Sequence, residues 1–173
     1  MSLSGRQRLF CGIDPGMKGG IAVIDEWLEV VELMPMPIEA GGLDYAELSA
    51  ILHGYRERGF FLVEEVHAIK GASAKSTFQF GRAYEGILAS LAIAECRHAI
   101  IKPREWQKLA WQGVKKILKP NRRVDTKQTS LKAVRQLFPK ANIYPTERSR
   151  KPHDGMVDAL LIAYAGALKY GAV

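Results

Sequence analysis

Residues 9–16, with the sequence LFCGIDPG, constrain the fold most strongly, because an apolar run too short for a helix ends at one carboxylate and a Pro-Gly turn. That pattern is typical of a buried strand that stops at the edge of a sheet. Asp14 then emerges from the core on a rigid backbone and is only partly solvated. Burying an unpaired charge is costly, so a carboxylate in this position is often functional. The alternative is that Asp14 only caps the turn, where Asp is common.

The same pattern occurs again at residues 60–65, where an apolar run ends at Glu64 and Glu65. Strands of a mixed sheet can bring such ends together at one edge, and ligands commonly bind there in open α/β sheets. Side-chain alternation predicts that Glu65 faces the opposite side of the sheet if Glu64 faces the site.

Short apolar runs and amphipathic segments along the rest of the chain predict an α/β fold. The length favours a single domain over residues 1–173, and we expect a mixed central sheet of about five strands flanked by helices. An Asp25-Glu26 turn should join two strands as a hairpin, and residues 38–43 should form a loop. Further strands are predicted at 19–24, 27–33 and 98–101, and helices at 45–58, 73–95, 104–111, 126–138 and 153–170.

The last predicted helix carries Asp154 and Asp158 in its first turns. Because they are four residues apart, they lie on one face and repel each other, an effect that the helix dipole offsets only in part. A divalent cation between them would remove the repulsion. With Asp14 and Glu64 they form an oxygen-only ligand set, which suits Mg²⁺ or Mn²⁺ rather than zinc or copper. Two such ions held ~4 Å apart are the usual apparatus for in-line attack on a phosphodiester.

Positive charge is concentrated in one third of the chain. Residues 102–151 contain 15 Lys and Arg against 3 Asp and Glu, whereas residues 1–101 contain 9 against 13. Such a concentration suits a polyanion such as nucleic acid. The alternative is a solvated basic surface that only maintains solubility.

The composition also argues against several classes of protein. No apolar run approaches the ~20 residues needed to span a membrane, and residues 1–8 lack the apolar core of a signal peptide. Cys11 and Cys96 lie in apolar segments without the spacing of a zinc site, which indicates small buried residues in a reducing compartment. We therefore expect a cytosolic protein that is not secreted.

Three segments together resemble one family: CGIDPG at residues 11–16, VEEV at 63–66 and DALLIA at 158–163. They are similar to the motifs of RuvC-type Holliday-junction resolvases, members of the RNase H-like superfamily. The basic, glycine-containing segment 70–86 and the helix start at Lys127 and Gln128 also have counterparts there. The resemblance extends from about Leu9 to Tyr170 and is strongest to phage-encoded and chloroplast-type members, which implies a bacterial, phage or organellar setting.

The resemblance implies an RNase H-like fold and a homodimer that binds four-way DNA junctions and nicks two strands symmetrically. It implies two Mg²⁺ ions per active site, or Mn²⁺ in their place, held by Asp14, Glu64, Asp158 and a fourth ligand. The resemblance assigns the fourth ligand to Asp154, but Asp154 and Asp158 are four residues apart, whereas the bacterial pattern has three; His153 is therefore the alternative. Catalytic roles fall on the same four carboxylates and on Lys127, which resembles a family lysine near the scissile phosphate.

DNA contacts are expected from exposed cations and from His67, which stands where the family has an aromatic residue that wedges the junction. Phe78 and Phe80 are expected in the core, and Trp106 and Trp111 are expected to pack their short helix rather than stack on bases. Glu65 is expected to be structural. The candidate DNA-binding residues are His67, Lys70, Lys75, Arg82, Lys102, Arg104, Lys115, Lys116, Arg122, Arg123 and Lys127.

Other functions remain open at the level of sequence. A different RNase H-like nuclease, acting on branched DNA, linear duplex or RNA–DNA hybrid, would use the same carboxylates. A non-catalytic junction-binding protein would share the basic surface. An actin-like kinase would need a second lobe and a second phosphate loop, and the sequence has neither.

Overall fold

The computed structural model describes residues 7–66 and 73–171. Its strands are β1 (Leu9–Asp14), β2 (Gly20–Asp25), β3 (Val30–Pro35), β4 (Ile38–Glu39), β5 (Gly42–Leu43), β6 (Gly59–Glu64) and β7 (Arg97–Ile101). Its helices are α1 (Tyr45–Tyr55), α2 (Ala74–Ile93), α3 (Pro103–Ala110), α4 (Thr126–Leu137) and α5 (Asp154–Tyr170). The predicted succession of strands and helices is confirmed, with bounds that shift by a few residues.

Five strands form one mixed sheet in the order β3-β2-β1-β6-β7. The pairs β1–β2 and β2–β3 are antiparallel, while β1–β6 and β6–β7 are parallel. The predicted mixed sheet of about five strands is confirmed. Because Ile13 pairs with Val63 in the parallel β1–β6 ladder, the next residues, Asp14 and Glu64, end neighbouring strands at the same edge.

Each face of the sheet is covered by its own set of helices. Phe10 of β1 and Leu62 of β6 belong to the core shared with α3, α4 and α5. Ile13 and Val63, which point the other way, belong to the core shared with α1 and α2. Since side chains alternate along a strand, this arrangement directs residues 14 and 64 to the side of the sheet that carries α5.

The helix α5 lies directly on β1 because glycine leaves room for it. A methyl group at Gly12 would overlap the Ala159 carbonyl oxygen and the Ala163 backbone nitrogen. At the start of the helix, a methyl group on Gly155 would overlap the backbone of Lys18 and Gly19. These backbone contacts bring the first turns of α5 to the end of β1.

The first hairpin differs from the prediction. Asp25 is the last residue of β2 rather than a turn residue, and its Oδ1 accepts hydrogen bonds from the amides of Trp27 and Glu29, both at 2.9 Å. The turn therefore extends to Glu29 and includes Leu28 at positive φ. Trp27 is 68% exposed and lies outside β3, which begins only at Val30.

Residues 38–43 are not an irregular loop but a small hairpin of β4 and β5. Ala40 and Gly41 connect the two strands, and both have positive φ. Two successive residues of that conformation form the tight turn that favours a two-residue hairpin. The sequence did not predict this turn because only one of its two central residues, Gly41, is a glycine.

The placement of Phe78 in the core was wrong, since its side chain is 66% exposed. The buried residues of α2 are Ala83, Ile87 and Leu91. Phe78 lies five residues before Ala83, which rotates it ~140° away around an α-helix. Phe80 is half-buried on the other side of α2.

Some features of the remaining helices and cysteines also follow the prediction. Asp44 caps α1 by accepting from the amides of Ala46 and Glu47, each at 3.0 Å, although α1 ends at Tyr55 rather than Arg58. Cys11 and Cys96 are buried and are not joined in a disulfide. Within residues 7–66 and 73–171, no helix has both the length and the apolar character to cross a membrane.

Candidate functional site

Four carboxylates meet at the edge of the sheet where β1 and β6 end. Asp14 and Glu64 terminate these strands, and Asp154 and Asp158 lie one turn apart at the start of α5. The pKa of Asp14 rises from its ordinary 3.8 to about 9, first through burial and then through the charges of Glu64, Asp158 and Asp154. All three other carboxylates thus lie near enough to Asp14 for their charges to act on it, and the four share one edge of the sheet.

Asp158 and Glu64 are destabilised as anions for the same reason. Burial is the main cause that raises the pKa of Asp158 to about 7, and a hydrogen bond from the Ser130 side chain opposes it. Burial also raises the pKa of Glu64, and a hydrogen bond from Trp106 opposes that rise. A cluster in which ionisation is this unfavourable gains free energy from any cation placed among its members.

In their present conformations the four carboxylates do not form a complete metal site. In the part of the chain that the structure describes, no three His, Cys, Asp or Glu side chains converge closely enough to hold an ion. Asp154 Oδ2 is ion-paired with Lys127 Nζ at 2.6 Å, and Glu64 Oε1 accepts a hydrogen bond from Trp106 Nε1 at 2.8 Å. The donor set nevertheless fits a hard divalent cation, because it consists of carboxylate oxygens only.

Lys127 lies beside the carboxylates, where it is ion-paired with Asp154. It is in the first turn of α4, and its bond to Asp154 is the main cause that raises its pKa. Both side chains are largely exposed, and exposed ion pairs contribute only about 0.2–1 kcal/mol. The pair is therefore easily exchanged, and either partner is available to a ligand.

His153 and Asp154, the two candidates for the fourth ligand, stand at the start of α5. His153 is the N-cap residue, and its Nδ1 accepts a hydrogen bond from the Met156 amide at 3.2 Å. That bond leaves Nε2 of the ring for other partners. The choice of Asp154 over His153 stays a prediction.

A cavity of about 750 Å³ opens beside Asp14, between the β1–β2 turn and α2. Gly16 and Lys18 line it on the side of the turn, and Phe80 and Tyr84 line it on the side of the helix. Burial raises the pKa of Tyr84, and the charges of Glu65 and Glu85 raise it further. Glu65 therefore faces α2, as alternation predicted.

The basic segment 113–125 is a short hairpin-like loop. The chain reverses between Leu118 and Val124, which form an isolated antiparallel bridge. The Ile117 amide donates to Thr129 Oγ1 at 3.1 Å, so the segment is attached to α4. Its exposed cations thus lie close to the end of α4 that carries Lys127; they are Lys115, Lys116, Lys119, Arg122 and Arg123.

The other candidate DNA-binding residues are distributed around the same edge. Lys75 and Arg82 are exposed on the first half of α2, where the Arg82 guanidinium lies 5.7 Å from the centre of the Phe78 ring. Lys102 and Arg104 are exposed at the start of α3. His67 and Lys70 lie outside the described residues.

Two functional contacts were missed at the level of sequence: Trp106 to Glu64 and Ser130 to Asp158. Both donors lie on helices that follow the sheet in the chain, α3 and α4. The sequence shows Trp106 and Ser130 as polar groups on apolar helix faces. Their partners, however, are 42 and 28 residues away in the chain. Only the folded chain shows those pairings.

The strand order, the parallel β1–β6 pair and the carboxylates at its edge define an α/β fold of the RNase H-like class. The particular likeness is to RuvC. The structure of Thermus thermophilus RuvC in complex with a Holliday junction substrate superposes with a TM-score of 0.58, at 17% identity over 96% of this chain and 98% of that one. Another Thermus thermophilus RuvC structure gives a TM-score of 0.53, at 19% identity over 92% and 93% of the two chains.

The chain therefore has a RuvC-like fold, as the sequence motifs predicted. No family model matches the sequence, and no curated protein matches it either.

Proposed function

We propose that this protein is a metal-dependent, structure-selective endodeoxyribonuclease that resolves four-way DNA junctions by paired symmetric nicks. The observation that carries the proposal is that four carboxylates from β1, β6 and α5 lie at one edge of the sheet, where burial and then the charges of the other three raise the pKa of Asp14. The RuvC structure of similar fold that contains a Holliday junction supports the same substrate.

The metal ligands in this proposal are Asp14, Glu64, Asp158 and Asp154. Two bound Mg²⁺ ions, or Mn²⁺ in their place, supply activation of a water nucleophile and stabilisation of the departing 3′ oxygen. The chain holds the two strand-end carboxylates on rigid backbone and the two helix carboxylates on a helix that rests directly on β1. Lys127, released from Asp154, would contact the scissile phosphate.

The exposed cations on the 113–125 loop, α2 and the start of α3 would hold backbone phosphates on either side of the carboxylates. Paired nicks need two copies of the site, so a homodimer is part of the proposal. Sedimentation of the protein alone and with junction DNA measures that stoichiometry.

The decisive experiment compares a synthetic four-way junction with a linear duplex of matched sequence, each incubated with the protein with and without Mg²⁺. We expect paired nicks in the junction only, and only with Mg²⁺. Asp14→Asn should abolish nicking while leaving junction affinity nearly unaltered, because it removes a metal ligand and no phosphate contact.

Two other results of this experiment would each indicate one of the alternative functions. Equal cleavage of linear duplex or of RNA–DNA hybrid would identify a different RNase H-like nuclease. Tight junction binding without nicking at any Mg²⁺ or Mn²⁺ concentration would identify a non-catalytic junction-binding protein.

A further inference from the structure

Glu64 is the one strand-end carboxylate that receives a hydrogen bond from a fully buried tryptophan. Trp106 Nε1 donates to Glu64 Oε1 at 2.8 Å, and the Trp106 side chain is only 1% exposed. The chain topology explains the contact. The strand β7 lies parallel to β6, and α3 begins two residues after β7 ends, so the helix crosses the sheet near the end of β6.

The donor is suited to orienting an anion without neutralising it. An indole N–H only donates, carries no charge and has one direction, and hydrogen bonds to an ionised acceptor are about twice as strong as neutral ones. A lysine or arginine in this place would compete with a cation for the carboxylate. Trp106 engages one oxygen of Glu64 and leaves the second oxygen for a ligand.

The tryptophan is itself fixed by packing. Its ring meets Trp111 edge-on, with 6.2 Å between ring centroids and 78° between planes, inside the core beneath α5. A rigid side chain transmits a defined position to the carboxylate it contacts, whereas a flexible donor would follow the carboxylate instead.

We propose that Trp106 is a positioning residue that holds the Glu64 carboxylate in the orientation required of a metal ligand. The inference rests on the proposed metal-dependent function of the site. Partners that orient ligands commonly account for 10–100-fold in metal affinity or activity.

The test compares Trp106→Phe with Trp111→Phe. Trp111 lies in the same core and is also buried, but within residues 7–66 and 73–171 its Nε1 has no hydrogen-bond acceptor. The two substitutions remove the same atoms and leave similar cavities, and only one removes a bond to Glu64. Mn²⁺ binding is measured by calorimetry on the DNA-free protein, with Asp14→Asn as the baseline, beside thermal unfolding and junction affinity in EDTA.

We expect Trp106→Phe to weaken Mn²⁺ binding roughly tenfold or more and to raise the Mg²⁺ concentration needed for half-maximal nicking by the same factor. Junction affinity in EDTA should stay at the wild-type value. Trp111→Phe should lower the unfolding temperature less, because its N–H has no acceptor to lose within the described part of the chain, and it should leave Mn²⁺ affinity unaltered.

Each other outcome has a distinct meaning. Wild-type protein that binds Mn²⁺ no better than Asp14→Asn would overturn the proposed metal site itself. Clear wild-type binding that Trp106→Phe retains, or that both tryptophan variants lose equally, would overturn the role of Trp106 alone. If phenylalanine at position 106 prevents folding, 3-benzothienylalanine replaces Trp106, since it keeps the bicyclic shape and substitutes sulfur for the N–H.

Discussion

Asp14 is a half-buried carboxyl group whose ionised form is opposed by burial and by the charges of the other three carboxylates. Its pKa in the folded protein is about 9, and that of Asp158 is about 7, against an ordinary value of 3.8 for both. At pH values between the ordinary pKa and the raised pKa of each group, the folded state binds more protons than the unfolded state. The contribution of these two groups to the free energy of unfolding therefore falls as pH rises. The direction is opposite to that of a salt-bridged aspartate.

The raised pKa values of Asp14 and Asp158 give a prediction for the metal-free protein. In EDTA, the unfolding temperature should fall as pH is raised from 5 to 8, and Asp14→Asn should make the fall shallower because the amide does not titrate. Mg²⁺ should restore stability increasingly at higher pH, where the ligands are ionised. Thermal melts at each pH measure all three effects, and identical pH dependence in wild type and variant would contradict the burial of this charge.

At the scale of elements, the contact of β1 with α5 sets the distance between the two halves of the carboxylate cluster. The contact depends on Gly12, where a side chain would meet backbone atoms of α5 that cannot move aside cheaply. A helix displaced there would carry Asp154 and Asp158 away from Asp14.

Gly12→Ala should therefore destabilise the fold by about 1–3 kcal/mol or more and weaken metal binding in whatever protein remains folded. The matched control is Gly54→Ala in α1, where an added methyl group would meet nothing within 4 Å; alanine there should stabilise the helix by about 0.5–1 kcal/mol. Urea unfolding curves measure both. Equal stability of the two variants would show that α5 does not rest on β1 at this point.

Local patterns were sufficient to predict most elements and the positions of Asp14 and Glu64 at strand ends. Asp14 and Glu64 each follow an apolar run, and a charge at the end of such a run marks a strand end regardless of tertiary structure. Phe78 was misplaced because a 20-residue helix presents aromatic residues on several faces, and only packing decides which face is covered. The bonds of Trp106 and Ser130 were invisible because they join helices to residues far away in the chain.

At the scale of the whole molecule, exposed positively charged side chains lie at both edges of the sheet. The basic 113–125 loop is attached to the helix that carries Lys127, near the carboxylates. Arg56 and Arg58 are exposed at the opposite edge, since the Arg58 carbonyl accepts from the amide of Leu9 at the start of β1. Arg56 and Arg58 thus carry the same formal charge as Arg122 and Arg123 of the loop, but they lie at the opposite edge of the sheet.

Changing Arg122 and Arg123 together to alanine should weaken junction binding and reduce the slope of log affinity against log salt by up to about two units, because fewer counterions are released. The Arg56→Ala/Arg58→Ala double variant loses equal charge and should leave the slope unaltered. Filter binding over a salt series measures both. Equal slopes for the two double variants would show that the loop lies off the DNA.

The contact between Gly12 and the backbone of α5 has one more consequence. Main-chain atoms, not side chains, determine how far the helix carboxylates stand from the strand carboxylates. The exposed C-terminal end of α5, at Leu168 and Lys169, can therefore accept substitutions without altering the spacing of the cluster. Sequences could diverge at that end of the helix while the spacing of the four carboxylates persists.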